Sequence, residues 1–130
     1  MAQSTEILPN GLQLLQDDRF FKLGQDSVLL SAFAKPRRNA KLLDLGCGTG
    51  ALALLVWRPD LKITGLELQD GPLDLFRQSI AANELENVTA LQGDLRQMRT
   101  LLPHGSMDYV ICNPPYFDRN AGANEPTAEN

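Results

Sequence analysis

Asn113, Pro114, Pro115 and Tyr116, near the end of this chain of 130 residues, are the side chains best suited to chemistry. Two prolines after an asparagine make a rigid, extended turn without backbone N–H donors at 114 and 115. The side-chain oxygen of Asn113 and the carbonyl of Pro114 remain as acceptors, and together they can take both hydrogens of a planar NH2 group. Such a nitrogen is a poor nucleophile because its lone pair is delocalised into a ring or carbonyl. Two acceptors favour its pyramidalisation and relieve the positive charge that develops as it attacks an electrophile. Tyr116 offers a face on which a planar substrate can stack, with Phe117 as a second wall. A rigid loop corner with a rim aromatic is the plainer account of the same residues, and what lies upstream decides between them.

Upstream lies Lys41 to Gly50, KLLDLGCGTG. Leu42, Leu43 and Leu45 form a nearly continuous apolar run, as in a parallel strand buried on both faces. Gly46, Gly48 and Gly50 let the backbone turn sharply and approach a ligand that a Cβ would block. A helix from about Ala51 to Trp57 then directs its free N–H groups at that ligand. The pattern describes a nucleotide-type cofactor site, although a tight strand-to-helix turn in any α/β protein has similar glycines. Dinucleotide folds space theirs GxGxxG, whereas the spacing here is GxGxG.

The elements that position these groups follow in order. Met1 to Asn10 shows little pattern, and Gly11 to Phe21 suits a short strand or hairpin. Asp26 or Ser27 caps a helix running to Ala34, with Val28, Leu29, Leu30, Ala32 and Phe33 as its apolar face and Pro36 as its stop. Lys62 to Leu66 make a second strand ending in Glu67, whose carboxylate, beside the first strand, can accept hydrogen bonds from both hydroxyls of a ribose. Asp70 caps a helix with Pro72 in its first turn, and Asn83 lies near its end. Val88 to Leu91 make a third strand, followed by Asp94. That carboxylate can accept from the exocyclic amine of an adenine, cap the helical stretch from Leu95 to about Leu101, or do both. Met107 to Cys112 form a fourth strand that delivers the chain to Asn113. Right-handed crossovers place the second and fourth strands on opposite sides of the first, so every candidate group leaves a strand's carboxyl end.

Bulk properties fit one globular domain: 43% of residues are hydrophobic, and no apolar run reaches membrane-spanning length. Met1 to Gly11 lacks the basic start and apolar stretch of a signal peptide. The two cysteines, Cys47 and Cys112, sit inside motifs as small semi-buried side chains, which suits a reducing cytoplasm. No Cys/His cluster offers a metal site, and the one histidine, His104, falls in a surface loop. A net charge of -4 argues against a strongly basic nucleic-acid binder. Lys35, Arg37, Arg38 and Lys41 nevertheless cluster, either as a solvated linker or as a phosphate-backbone contact.

LDLGCGTG, GLELQ, GDL and ICNPPYF, in that order, resemble the S-adenosylmethionine-dependent amino-group methyltransferases that carry an NPPY motif. More narrowly, FKLGQDSVLLSAFA and NPPYF are similar to the bacterial tRNA1(Val) adenine-N6 methyltransferase family. The resemblance covers roughly Gly11 to Phe117. It implies a Rossmann-like, doubly wound α/β sheet with a cap segment over 1–40, a cofactor-binding core over 41–117 and a polar tail over 118–130. It also implies S-adenosylmethionine contacts at Asp44, Gly46, Cys47, Gly48, Gly50, Glu67, Leu68, Asp94, Leu95 and Asn113, with Asp26 and Ser27 as further contacts. Asn113 and Pro114 would hold the target amine and Tyr116 would stack on the base, in a tRNA loop where an adenine turns outward at modest cost. Transfer needs no dedicated base, since the methylated, ammonium-like product is a strong acid. A complete fold of this type has seven strands and four are found here, so the expectation is a fragment whose fourth strand is an exposed edge carrying Val110 and Ile111. Protein glutamine, DNA adenine and ribosomal RNA guanine methyltransferases present related NH2 chemistry, and a non-catalytic cofactor-binding fragment is the reading of a different class.

Overall fold

The computed structural model describes residues 3–20, 25–102 and 105–112. It opens on a hairpin in which β1 (Gln3–Ile7) pairs antiparallel with β2 (Gln13–Asp17), from Gln3↔Asp17 to Ile7↔Gln13. The first of these strands falls where the sequence shows little pattern. All five of its residues are exposed, so no apolar alternation marks it. The turn closes through Leu8 N–H to Leu12 O and Gly11 N–H to Leu8 O, both 2.8 Å, with Leu8 and Leu14 buried below.

After the hairpin, α1 (Gln25–Phe33) ends ahead of Pro36. Val28, Ala32 and Phe33 are exposed, Phe33 by 76%, so the expected apolar face of this helix is only partly covered. Then come β3 (Lys41–Leu45), α2 (Ala51–Leu55), β4 (Lys62–Glu67), α3 (Asp70–Ala82) and β5 (Val88–Gln92). A single 3-10 turn (Leu95–Gln97), a four-residue α4 (Met98–Leu101) and β6 (Tyr109–Cys112) complete the described chain. The helix after the glycines is shorter than expected, stopping at Leu55 ahead of Arg58-Pro59. The cap of α3 is Gln69 rather than Asp70, which stands inside the first turn. The expected helix over 95–101 splits into a 3-10 turn and one α turn.

The four later strands form one parallel sheet in the order β5-β4-β3-β6, placing β4 and β6 on either side of β3 as the crossover rule requires. The register pairs Leu45 with Leu66 on one side and with Cys112 on the other, so β3 and β6 end level and β4 runs one residue further, to Glu67. Leu42 and Leu43 are buried on opposite faces of β3, as a central parallel strand demands. Phe76, fully buried on α3, is the pivot between helix and sheet. A Cβ added at Gly50 or Gly65 would run into its ring, so both glycines are there for close approach. At the sheet's end, Val110 of β6 is 54% exposed while Ile111 is buried, so only one of the two edge residues is open.

The hairpin is fastened to α3 by side chains, not by a third strand. Leu15 N–H donates to Ser79 Oγ at 2.9 Å and Gln13 N–H to Asn83 Oδ1 at 2.8 Å, while Asn83 Nδ2 donates to Gln13 O at 2.7 Å. These bonds satisfy the backbone groups of β2 that do not face β1.

Candidate functional site

The glycine loop leaves β3 in a run of left-handed backbone: φ is +64° at Gly46, +58° at Gly48 and +90° at Gly50. An L side chain rarely adopts these angles. Among the described residues nothing lies within 4 Å of where a Cβ would stand on Gly46 or Gly48, so these two glycines border a space that those residues leave open. The loop is tied to β4 by two bonds, Cys47 N–H to Leu66 O at 3.0 Å and Gly48 N–H to Glu67 Oε1 at 2.8 Å.

Glu67 is the hub of this edge. Its Oε2 accepts from Gln69 N–H at 2.9 Å, so each carboxylate oxygen already holds one backbone donor and keeps a further lone pair for a ligand hydroxyl. Gly93 N–H donates to Glu67 O at 3.1 Å, and Gln92 Nε2 donates to Leu68 O at 3.2 Å and to Asp70 Oδ1. The end of β5 thereby holds the β4–α3 turn in place. Leu68 in that turn is 59% exposed, an apolar surface beside the acid.

Asp44 lies one residue inside the end of β3 and is 1% exposed. Among the described residues neither of its oxygens meets a hydrogen-bond partner. Burial pushes its carboxyl up to about 7; the Ala53 backbone amide opposes this, though not in hydrogen-bonding geometry, and the Glu67 charge adds to it. The buried Cys47 thiol is raised by burial first, then by the charges of Asp44 and Glu67. A cation placed near these adjacent strand ends would interact favourably with Glu67 and draw the Asp44 carboxyl back toward its ionised form.

Asp94 has a different setting. Its Oδ1 accepts the Arg96 N–H at 2.8 Å, a capping contact, and its Oδ2 pairs with Arg96 Nη2 at 2.6 Å. The Arg96 side chain beside it holds its carboxyl down to about 2. The capping role is therefore present, and an adenine amine would share this acceptor with an exposed guanidinium. Leu95 lies in the 3-10 turn that follows, its side chain outside the described set, as are those of Asp26 and Ser27 in α1. Asn113, Pro114, Tyr116 and Phe117 lie outside the described residues, as does His104. Cys112, which precedes Asn113, is exposed rather than semi-buried.

The chain matches the family profile described as "Methyltransferase small domain" over residues 24–129. It belongs to that family. As a methyltransferase small domain it is similar to the tRNA1(Val) (adenine(37)-N6)-methyltransferase of Pseudoalteromonas translucida, 35% identical over 105 residues, which are 79% of this chain and 44% of that protein. The protein of the same name from Yersinia pestis is 32% identical over 100 residues, 74% of this chain and 40% of its own length. The chain thus spans less than half the length of these curated relatives. In fold it is similar to the Pyrococcus abyssi tRNA (uracil-54, C5)-methyltransferase, solved with S-adenosyl-L-homocysteine: TM-score 0.67, 16% identity, 87% of this chain and 28% of that one. The precorrin-6y C5,15-methyltransferase of Geobacter metallireducens gives a TM-score of 0.64 at 16% identity, over 76% of this chain and 52% of that one. The sheet is the expected first four parallel strands of that Rossmann-like fold.

The methyltransferase small domain therefore brings Asp44, Gly46, Cys47, Gly48, Gly50, Glu67 and Leu68 to one edge, and sets Asp94 beyond the end of β5 with its carboxylate engaged. Phe76 is buried on α3 as the apolar pattern of that helix predicts, whereas the close approach at Gly65 and the part played by Gln92 escaped sequence reasoning. A glycine inside the strand KITGLE was the available signal for close approach, whereas nothing local marks Gln92. Among the described residues no group of three or more His, Cys, Asp or Glu is placed to hold a metal, and no helix is long and apolar enough to cross a membrane.

Proposed function

We propose that this chain is the cofactor-binding half of a cytoplasmic S-adenosylmethionine-dependent methyltransferase that modifies an exocyclic amino group, adenine N6 in tRNA. The observation that carries the reading is the Glu67 bridge. One carboxylate holds the glycine loop through Gly48 and the next turn through Gln69 and still has acceptor capacity, beside a loop whose Gly46 and Gly48 meet no described residue where a Cβ would stand. The residues present suit a ribose joined to a cationic chain: Glu67 for the hydroxyls, Leu68 as an apolar wall, and the orphaned oxygens of Asp44 for a positively charged donor. S-adenosylmethionine supplies there a methyl group on a sulfonium, an electrophile that an amine can attack. The names of the relatives support tRNA adenine as the acceptor.

The chain's own residues divide the work. Glu67 and the loop amides orient the donor, and a cation brought beside Asp44 would offset the burial that holds its carboxyl up at about 7. Asn113 and the Pro114 carbonyl take the two hydrogens of the target NH2 group, which frees its lone pair, and Tyr116 stacks on the base. The spent proton leaves to water, because the product is acidic.

Transfer of labelled methyl from S-adenosylmethionine tests the reading, with unmodified tRNA and a protein extract offered in parallel. Label recovered as N6-methyladenosine in tRNA is the expected outcome. Label in protein would replace the tRNA reading by glutamine-amide methylation. Asn113→Ala is expected to keep cofactor affinity and abolish transfer; retained transfer would refute its role.

A further inference from the structure

The basic residues from Lys35 to Lys41 lie at the other edge of the sheet, since Lys41 opens β3 and the glycine loop follows its end. Five residues at about 3.3 Å each separate the two edges by about 17 Å. This stretch is not a loosely solvated linker. Arg58 Nη1 donates to Pro36 O at 2.9 Å and its Nη2 to Arg37 O at 3.3 Å. Asn39 N–H donates to Asp60 Oδ2 at 2.8 Å, Ala40 N–H to Arg37 O at 3.2 Å, and Lys35 N–H to the Tyr109 hydroxyl at 3.3 Å. Asn39 is held at φ 62°, a left-handed conformation that costs energy and needs surrounding bonds to persist.

The same bonds neutralise Asp60 and Asp108 and leave cations over. Asp60 is paired with Arg58 at 2.9 Å, and Asp108 with Arg37 at 3.2 Å and with the Lys41 N–H at 2.9 Å. Lys35, Arg38, Lys41 and Lys62 are exposed and form no side-chain ion pair among the described residues, although the Lys41 charge acts on Asp108 from a distance. Lys41 and Lys62 are register partners on adjacent strands, so their side chains leave the same face side by side. Like charges in that arrangement are destabilising unless an anion lies between them. Six cations (Lys35, Arg37, Arg38, Lys41, Arg58 and Lys62) and four carboxylates (Asp60, Asp108, Glu84 and Glu86) gather at this end of the sheet, a positive local balance in a chain whose net charge is -4. Glu84 and Glu86 lie in the α3–β5 loop, whose Asn87 Nδ2 donates to Arg58 O at 3.0 Å and to Leu61 O at 2.7 Å, and neither forms an ion pair among the described residues.

We propose that this fastened edge, with Lys35, Arg38, Lys41 and Lys62, is a second docking surface for the phosphate backbone of the RNA substrate, remote from the site of methyl transfer. The proposal rests on the RNA reading above. Phosphates suit it better than a lipid surface, because Asn39, Asp60 and Asp108 lie between the cations where a membrane-seeking face would carry apolar residues. An RNA loop continues its backbone on both sides of an unstacked base, so one strand can reach this edge while the base is held at the other. Contacts of this kind position the substrate and are blind to its sequence.

The test compares the chain with a variant carrying Lys35→Gln, Arg38→Gln and Lys41→Gln, none of whose side chains belongs to the cofactor edge. Binding of a fluorescent tRNA transcript is followed by anisotropy over a range of salt concentrations, alongside S-adenosylmethionine affinity and thermal unfolding. The expected result is at least a tenfold loss of RNA affinity at low salt and a salt slope shallower by about one per phosphate contact removed, with cofactor affinity unchanged. Should the triple variant fail to fold, Arg38→Gln alone is read in the same way, with a smaller loss. Equal RNA affinity and equal slope in folded parent and variant would overturn the proposal and leave the methyltransferase reading standing. A parent chain that binds anionic vesicles or nothing at all, in place of RNA, would also overturn it; methyl transfer to tRNA or to protein then shows separately whether the RNA reading has fallen too.

Discussion

Glu67 Oε1 accepts the backbone N–H of Gly48 at 2.8 Å, so the acid at the tip of β4 holds the glycine loop that leaves β3. Glu67→Gln keeps the length of the side chain but turns one acceptor into a donor that faces N–H groups. A stability loss of about 1–2 kcal/mol is expected in urea titration. The fall in S-adenosylmethionine affinity should be larger, tenfold or more by calorimetry. Unchanged affinity would remove Glu67 from the site.

Gly48 and Gly50 both have positive φ, but their surroundings differ. Gly48→Ala puts a methyl into space that the described residues leave open, at a conformational cost of roughly 1–2 kcal/mol. The variant should therefore fold and lose cofactor binding, because the methyl occupies the ligand's place. Gly50→Ala drives a methyl into the Phe76 ring, with an expected loss of roughly 3 kcal/mol or more whatever is bound. Circular dichroism melts and calorimetry on the pair separate the two effects. Full cofactor affinity in Gly48→Ala would sink the assignment of the open space.

Asp44 makes the stability of the free chain depend on pH. Its folded pKa, raised from 3.8 to about 7, means that between these values the folded state holds a proton which the unfolded state has released. Its contribution is therefore most favourable below about pH 4 and is lost as pH rises to about 7, by a few kcal/mol. Asp44→Asn should flatten that slope and stabilise the free chain at neutral pH. It should also weaken binding of the cationic cofactor, since the charge is gone. Urea titrations at pH 5 and pH 8 check the first point; an unchanged slope in the variant would show that another group sets the dependence.

Ser79 is buried on α3 and its hydroxyl accepts the Leu15 N–H at 2.9 Å. Ser79→Ala leaves that amide without its partner, at a cost of about 1–3 kcal/mol. Faster amide hydrogen exchange is expected in β1 and β2, with little change at Glu67 or in cofactor affinity. Exchange that rises equally across the sheet would mean that the hairpin and the core open as one unit.

The sequence by itself determined the parallel sheet, the place of its second and fourth parallel strands on either side of the first, the sharp glycine turn and the acid at the tip of the second parallel strand; the place of β5 and the left-handed backbone of the loop came from the structure. The former follow from local patterns: apolar runs of strand length, glycines where a Cβ is not tolerated, and the single hand of β–α–β crossovers. Only the tertiary structure decided that Glu67 spends an oxygen on Gly48, that Asp44 is left without a partner among the described residues, and that Phe76 rests on Gly50 and Gly65. It alone showed that Ser79 and Asn83 replace a missing strand for β2, and that the basic stretch before β3 is fastened by Arg58, Asp60 and Asp108. Each of these joins residues far apart in the chain or depends on how deeply a group is buried. Neither property is carried by local spacing, because a hydrogen bond or a desolvated carboxylate exists only after packing has brought its surroundings together.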